Sequence, residues 1–204
     1  MKINDMENKK RMEEKKFGPY VIGIIGPIAS GKDAAADYFS KKYGFKKIVL
    51  SNFLRQEAKK RGHHPSRPYL RKLQAELRKK HGNDYLLKKA IAEINQKHYE
   101  KIVIDGLRQP DECALAKEKL KAKIILIDSN PFVRFMRAKK RHRKGFAETY
   151  EQFLHQDAIE NAVFHFHKTR KLANFKIINS SSLESMQKDI DRLAKKLKID
   201  RNKT

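Results

Sequence analysis

The sequence predicts an α/β fold with a mostly parallel sheet, from two observations. Five short apolar runs, at residues 21–25, 47–50, 102–104, 124–127 and 175–178, alternate with helical patterns, as expected for parallel strands joined by right-handed crossovers. A polar residue follows each run, namely Gly26 with its loop, Ser51, Asp105, Asp128 and Asn179. Because the carboxyl ends of parallel strands meet at one edge, a single site assembled from five strand ends is expected there.

The first run leads directly into a phosphate-loop pattern, Gly26-x-x-x-x-Gly31-Lys32-Asp33. Its glycines let backbone N–H groups turn towards an anion, and Lys32 brings a positive charge to the terminal phosphates. A helix starting near Gly31 points its positive end at the same place. The alternative is a plain glycine-containing turn between a strand and a helix. The residues predicted to bind ATP are Gly26, Pro27, Ile28, Ala29, Ser30, Gly31, Lys32 and Asp33.

Two carboxylates are predicted to hold Mg²⁺. Asp33 stands where this pattern usually has Ser or Thr, and a carboxylate is also an oxygen ligand for Mg²⁺. Lys32 and the metal would offset its negative charge. Asp105 ends the third run, where phosphate-loop enzymes place a second acidic group that orients the metal or its waters.

Composition indicates an anionic partner. The chain has 204 residues and a net charge of +24, with 48 Lys and Arg against 24 Asp and Glu. The length fits one domain, or one domain with a lid. The charge fits a nucleotide, a nucleic acid or an acidic surface, whereas the alternative is a lysine-rich surface of the kind that thermophilic proteins favour.

A reducing, cytoplasmic location is expected. The single cysteine, Cys113, excludes an internal disulfide, and no apolar run approaches the roughly 20 residues of a membrane span. Residues 1–18 have the mixed charges of an N-terminal extension, not the apolar core of a signal peptide. His165-x-His167 lacks the cysteine or carboxylate partners of a metal site, and Cys113 lacks a His partner for nucleophilic chemistry.

Arginines after the second and third runs are placed to bind phosphate. Ser51 or Asn52 is predicted to cap a helix whose first turn carries Arg55. Arg108 follows Asp105 on a turn and suits a bidentate phosphate contact, with an ion pair to Asp111 or Glu112 as the alternative.

A helix that begins at Asn130–Pro131 carries Arg134, Arg137 and Arg141, whose spacings of three and four put them on one face. This pattern is typical of a mobile lid that closes on phosphates, the alternatives being a solvated basic helix or a nucleic-acid patch. A second helix over 148–164 carries Asp157 and Glu160, three residues apart. The pattern Ser181-x-x-Glu184 predicts a capping box for the last helix.

Residues 20–197 resemble the nucleoside-monophosphate-kinase-like P-loop kinases, the group that holds adenylate kinase, dephospho-coenzyme A kinase and deoxynucleoside monophosphate kinases. The Ser-Gly-Lys-Asp ending of the loop is known in that group, and the segment 51–55 is similar to its acceptor-gripping segment. Asp105-Gly106-x-Arg108 is similar to the Asp-Gly-x-x-Arg segment of adenylate kinases, shortened by one residue. The segment 133–141 resembles the lid helix, and 175–193 the final strand and helix.

The resemblance implies a three-layer P-loop kinase fold, with a five-stranded parallel sheet, helices on both faces and a short lid. The kinase domain would span 19–200, with acceptor-binding helices at 52–98 and the lid at 134–150. The implied reaction moves the γ-phosphate of Mg-ATP to the phosphate of a nucleoside or deoxynucleoside monophosphate. Lys32, Arg137 and Arg141 would stabilise the transferring group, and Asn179 would border the adenine. The acceptor-binding residues would be Ser51, Arg55, Asp105 and Arg108.

Other functions stay open at this point. They are a dephospho-coenzyme-A-kinase-like enzyme, a P-loop ATPase or nucleotide-binding regulator, and a nucleic-acid-binding protein that uses the basic surface. Nucleic-acid binding is expected to be weak, and no membrane partner is expected. The acceptor base or sugar and the oligomeric state are left open by the sequence.

Overall fold

A computed structural model describes residues 18–141 and 147–200 of the chain. The predicted N-terminal extension therefore lies outside the described residues except for Gly18, as does the segment 142–146 of the predicted lid.

A five-stranded, fully parallel sheet forms the centre of the structure, as predicted. Its strands are paired in the order β2-β3-β1-β4-β5. They are β1 Tyr20–Ile25, β2 Lys46–Val49, β3 Lys101–Asp105, β4 Lys123–Asp128 and β5 Phe175–Ile178. Each of the five apolar runs thus contributes one strand, with ends shifted by one residue or so.

Helices connect the strands and flank the sheet. They are α1 Lys32–Tyr43, α2 Leu50–Lys60, α3 Arg67–His81, α4 Tyr85–Lys97, α5 Pro110–Leu120, α6 Pro131–Lys140, α7 Tyr150–Val163, α8 Phe166–Lys171 and α9 Leu183–Lys196. Within the described part of the chain, no helix is long and apolar enough to cross a membrane.

Two helix caps differ from the prediction. Helix α2 begins at Leu50, so Ser51 and Asn52 lie inside its first turn and do not cap it. The last helix is capped by Ser182, whose Oγ accepts a hydrogen bond from the Ser185 N–H at 3.2 Å. The predicted Ser181 box is therefore wrong by one residue, and Ser181 lies in the loop before the cap.

The two faces of the sheet carry separate hydrophobic layers, which confirms the three-layer architecture. Alternate residues of β1 divide between them: Val21 and Ile25 pack with α2, α3, α4 and α5, whereas Ile22 and Ile24 pack with α1 and α9. Because both faces are covered, the strand is apolar along its whole length. A third, small cluster around Phe135 and Phe153 joins α6 to α7.

This topology places the phosphate loop at the centre of one edge. Strand β1 lies between β3 and β4, so the loop that follows Ile25 is flanked by the carboxyl ends of both neighbours. Asp105 is level with Ile24 of β1 and with Val49 of β2. Strand β2 is one of the two edge strands and is separated from β1 by β3.

Candidate functional site

The phosphate loop needs both of its outer glycines for reasons that the packing shows. A Cβ on Gly26 would lie 2.5 Å from Ser30 Oγ and also strike the Ile127 carbonyl oxygen. Gly31 has a left-handed backbone (φ 96°), and a Cβ there would collide with the amide of Asn179. Ala29 is also left-handed (φ 58°), a conformation that costs a non-glycine residue about 1–2 kcal/mol. The loop is thus a tight, strained turn directly before α1.

Lys32 lies across this loop. Its Nζ donates a hydrogen bond to the Pro27 carbonyl oxygen at 3.2 Å. Burial and the nearby positive charge of Arg108 lower the pKa of Lys32, while Asp105, Asp33 and Glu160 oppose that shift. The ammonium group therefore faces charged groups from three further elements, β3, α7 and the loop after β3. A phosphate bound in the loop would add negative charge and so favour the charged form of Lys32 against its burial.

Asp33 and Asp105 form a carboxyl pair beside Lys32. Burial, together with the hydrogen bond and negative charge of Asp33, raises the pKa of Asp105 to about 7. Burial also disfavours the ionised form of Asp33, but the hydrogen bond from Asp105 and the charge of Lys32 outweigh it and lower the Asp33 pKa. Lys47 Nζ approaches Asp105 Oδ2 at 3.6 Å. The pair thus holds one proton between two carboxylates close to neutral pH.

The pair suits a divalent cation, which would replace that proton. Asp105 Oδ1 is buried, and no described residue donates a hydrogen bond to it. Oxygen ligands are those that Mg²⁺ prefers, and it commonly takes only one or two carboxylates and completes its shell with waters and substrate phosphates. The described residues contain no group of three or more His, Cys, Asp or Glu placed to hold a metal ion, so phosphate or water ligands would be needed.

Arg108 lies in the same cleft as Lys32. The cleft between the phosphate loop and α7 is lined by Gly26, Lys32, Arg108, Glu160, Asn161 and Phe164, among others. Arg108 Nη1 is 3.4 Å from Glu160 Oε1, and its guanidinium lies 5.0 Å from the centre of the Phe164 ring. The predicted alternative, an ion pair to Asp111 or Glu112, is wrong for the side chain, because Glu112 instead accepts the Arg108 backbone N–H at 2.7 Å.

Arg55 and Ser51 lie apart from this cleft. Arg55 is exposed, and its Nη1 donates to Ser51 Oγ at 2.7 Å and to Asn52 Oδ1 at 3.0 Å. Both residues follow the edge strand β2, and β3 separates that strand from the phosphate-loop strand. The structure therefore brings Asp105 and Arg108 to Lys32, whereas Arg55 bonds to residues of its own helix and is not among those that line the cleft.

The three arginines of the predicted lid face do not act as one face. Arg134 is buried, at 4% exposure, and forms a bidentate ion pair with Asp157 at 2.6 and 2.8 Å. It also donates to the carbonyl oxygens of Ser129 and Ile28. The prediction that Arg134 belongs to a phosphate-facing lid surface is therefore wrong, since its guanidinium joins α6 to α7.

Arg137 and Arg141 remain near the site. Arg137 donates to the Asn179 carbonyl oxygen at 2.7 Å and to the Ser181 carbonyl oxygen at 3.0 Å. Asn179 in turn donates from Nδ2 to the Ser30 carbonyl oxygen at 2.8 Å, which ties the loop after β5 to the phosphate loop. Arg141 is exposed, and its charge helps to lower the pKa of Asp33.

Sequence reasoning missed four residues at or near the site: Lys47, Arg78, Glu160 and Phe164. Arg78, on α3, lies 5.1 Å from the Phe164 ring and 3.6 Å from Glu112, and its Nε and Nη2 are buried without a hydrogen-bond partner among the described residues. Glu160 had a partial signal in its spacing from Asp157. Nothing in the local sequence marks the other three.

Two weaker signals of the sequence concern His165-x-His167 and Cys113. The His165 and His167 rings lie 6.4 Å apart and edge-on, outside any metal-binding cluster of the described residues. Burial raises the pKa of the Cys113 thiol to about 12, which keeps it protonated and unreactive.

Comparison with known proteins gives the family and the fold. Residues 25–154 match the AAA domain family. A UPF0200 protein of Thermococcus sibiricus is 30% identical, with 88% of this chain and 96% of the relative covered. A UPF0200 protein of Hyperthermus butylicus is 28% identical over 87% and 94% of the two chains.

Among solved structures, TT1252 of Thermus thermophilus matches with a TM-score of 0.60 and 18% identity, over 88% of this chain and 98% of that one. Shikimate kinase of Acinetobacter baumannii, solved with shikimate, matches with a TM-score of 0.56 and 14% identity, over 92% and 99%. The fold is therefore that of the P-loop kinases.

Proposed function

This chain belongs to the UPF0200 family and contains an AAA domain, and we propose that it is an ATP-dependent kinase that phosphorylates the phosphate group of a small acceptor. The observation that carries this proposal is that Lys32 of the phosphate loop and Arg108 face one cleft. A lysine in a phosphate loop addresses the phosphates of a bound nucleotide, and an arginine opposite it suits a second phosphate. The proposed acceptor is a nucleoside or deoxynucleoside monophosphate.

On the donor side, the loop from Gly26 to Asp33 would hold the ATP phosphates. Its geometry supports this role, because Gly31 and α1 present backbone N–H groups and the positive end of a helix dipole towards the loop. Asn179 is bonded to both Ser30 and Arg137, so the loop after β5 would border the base of the nucleotide.

On the acceptor side, Arg108 would bind the acceptor phosphate, with Asp105 beside it. Ser51 and Arg55 would complete this site if the acceptor extends towards the edge strand β2. Their mutual hydrogen bond holds the Arg55 side chain along α2, from which it would turn to reach an anion. Charge-assisted contacts of this kind contribute about 1.5–3 kcal/mol each.

Asp33 and Asp105 would hold Mg²⁺, which neutralises charge on the transferring phosphates when bound. Lys32, Arg137 and Arg141 would stabilise the charge that develops during transfer. The protein's contribution is then positioning and electrostatics, because phosphoryl transfer needs little covalent help from the enzyme. Closure of the predicted lid, residues 134–150, over the cleft would exclude water and so suppress ATP hydrolysis.

An acceptor screen tests the proposal. Purified protein would be incubated with Mg²⁺ and ATP labelled in the γ-position, together with single members of a panel of nucleoside and deoxynucleoside monophosphates, and also with dephospho-coenzyme A. We expect label to move to at least one monophosphate. Transfer only to dephospho-coenzyme A would support the related small-molecule kinase instead. Release of labelled inorganic phosphate that no acceptor changes would contradict the proposal and indicate an ATPase.

A further inference from the structure

The carboxylate of Glu160 lies in the cleft where two phosphates would meet. It comes from α7, is three-quarters buried, and its Oε1 is 3.4 Å from Arg108 Nη1. Its charge also acts on Lys32, whose pKa it helps to raise against the effect of burial. A negative side chain at this position opposes the binding of any anion and is therefore unexpected in a site for phosphates. The proposed mechanism gives Glu160 no role.

Arg108 does not depend on Glu160 for its position. Its backbone N–H donates to Glu112 Oε2 at 2.7 Å, and its carbonyl oxygen accepts a hydrogen bond from Thr169 Oγ1 at 3.0 Å. Glu112 and Thr169 are both buried. The Phe164 ring supports the guanidinium at 5.0 Å. The arginine is therefore presented to the cleft by three other residues, and Glu160 neutralises its charge without building its geometry.

Glu160 is itself held on a fixed element. One turn earlier on α7, Asp157 forms the buried ion pair with Arg134 of α6, and Asn161 Nδ2 donates to Asp157 Oδ2 at 3.3 Å. The backbone that carries Glu160 is therefore anchored, while its contact with Arg108 is a single long ion pair. Partly exposed pairs of this kind contribute only about 0.2–1 kcal/mol, so a stronger ligand displaces the carboxylate at little cost.

We propose that Glu160 is a specificity-determining counter-ion. It pairs with Arg108 when no acceptor is bound, and only an acceptor that carries a phosphate displaces it. A carboxylate tethered in the cleft has a high effective concentration, which a free carboxylate cannot match with the same kind of contact. A phosphate has greater charge and more acceptor oxygens, and it bonds the guanidinium bidentately. The inference rests on the proposed function for the identity of the acceptor, and it narrows that acceptor to a phosphate monoester.

Binding of inorganic phosphate to the nucleotide-free protein tests this role without any kinase reaction. Calorimetric titrations at constant ionic strength would compare wild type with Glu160→Gln, and with Glu151→Gln as the matched control on the exposed first turn of α7. We expect Glu160→Gln to bind phosphate about 1.4- to fivefold more tightly, since a competing ion pair is removed. Glu151→Gln should bind phosphate as wild type does.

The phosphate loop also binds phosphate, so the site of the gain has to be assigned. In an Arg108→Gln background, the same Glu160→Gln change should give no gain, because the competing partner is gone. Equal phosphate affinity of wild type and Glu160→Gln, or a gain that persists without Arg108, would overturn the inference.

Kinetics separate this role from a general base. With an acceptor found by the screen, Glu160→Gln should lower the acceptor KM and leave kcat within a few-fold of wild type. A base for a hydroxyl acceptor would instead show a fall in kcat of about 10²-fold or more with KM little changed, and that result would overturn the inference. If phosphate binding changes as expected but no acceptor is phosphorylated, the counter-ion role stands and the proposed kinase function fails.

Discussion

The Asp33–Asp105 pair makes the stability of the protein depend on pH in a defined direction. The Asp105 carboxyl ionises near pH 4 in an unfolded chain but at about 7 in the fold. Between these values the folded state binds more protons than the unfolded state, so the free energy of unfolding falls as pH rises through this window. The lowered pKa of Asp33 acts in the opposite direction and at lower pH: its contribution to stability is lost as the pH falls below about 4.

Asp105→Asn should therefore stabilise the metal-free protein at pH 8, by about 1–3 kcal/mol, because it removes a buried charge. Below pH 4 the difference from wild type should nearly vanish. Urea denaturation at pH 4, 6 and 8 without divalent cations measures this. Asp189→Asn on α9 is the control and should follow wild type at each pH. A variant that is less stable than wild type at pH 8 would show that the ionised carboxylate is stabilising.

For single residues, the sequence predicts those site positions that depend only on local spacing along the chain. The segment from Gly26 to Asp33 and the position of Asp105 at a strand end follow from a strand, a turn and a helix in order, so they could be placed without the structure. Glu160 and Arg78 could not, because they reach the cleft through packing between distant elements. The role of Arg134 was predicted wrongly for the same reason. Helical spacing gives the face of the helix on which it lies, but only the fold shows that Asp157 pairs with it there.

The α6–α7 pair is held by the buried ion pair of Arg134 and Asp157. Arg134→Met should destabilise the protein by about 3–5 kcal/mol, because Asp157 is left charged and buried without its positively charged partner. The double variant Arg134→Met/Asp157→Leu should recover much of this loss. Denaturant unfolding of both variants gives the values, with Arg192→Met as an exposed control. If Arg134→Met lowered the free energy of unfolding by less than about 1 kcal/mol, the ion pair would not be what holds the two helices together.

Arg55 and Arg137 come from opposite sides of the phosphate loop, after β2 and after β4. For an acceptor that extends towards β2, Arg55→Ala should raise the acceptor KM strongly and leave ATP affinity unchanged. Arg137→Ala should mainly lower kcat, because its contact would strengthen as charge moves in the transition state. Steady-state kinetics with each substrate varied, together with calorimetric ATP binding, distinguish the two. If Arg55→Ala weakened ATP binding alone, the donor and acceptor sites would have to be exchanged.

Element boundaries show where sequence patterns stop being informative. The predicted helix over 148–164 ends at Val163, and α8 follows after His165 adopts a left-handed backbone (φ 48°). Glycine normally marks such a break, and none stands here, so the short helix could not be foreseen. The last helix starts one residue later than predicted because Ser182, not Ser181, caps it. The Ser181 carbonyl oxygen instead accepts a hydrogen bond from Arg137 of α6.

Across the whole molecule, the net charge of +24 predicts weak, non-selective attraction to nucleic acid. Lys and Arg are spread along the entire chain, so any complex should weaken steeply as salt rises. Fluorescence anisotropy with single- and double-stranded oligonucleotides at several salt concentrations measures this. Tight, sequence-selective binding at high salt without ATP would make nucleic-acid recognition the primary function.

The fold class could be predicted because the alternation of apolar runs and helical patterns is visible in the sequence itself and needs no tertiary information. The order β2-β3-β1-β4-β5 was not, since the pairing of Val49 and of Ile24 with the same residue, Asp105, is a property of the assembled sheet. That order is what brings two carboxylates, Lys32 and Arg108 together. The site is therefore a product of the whole chain even though its central loop is local.

Phosphorus NMR of the reaction products tests the central claim most directly. A reaction of Mg-ATP with a nucleoside monophosphate should give ADP and the paired doublets of a newly formed diphosphate on the acceptor. Lys32→Ala, folded as judged by circular dichroism, should form this product at least about 10²-fold more slowly, because a transition-state contact is lost. A new phosphomonoester signal on an acceptor hydroxyl, or inorganic phosphate alone, would contradict transfer to an acceptor phosphate.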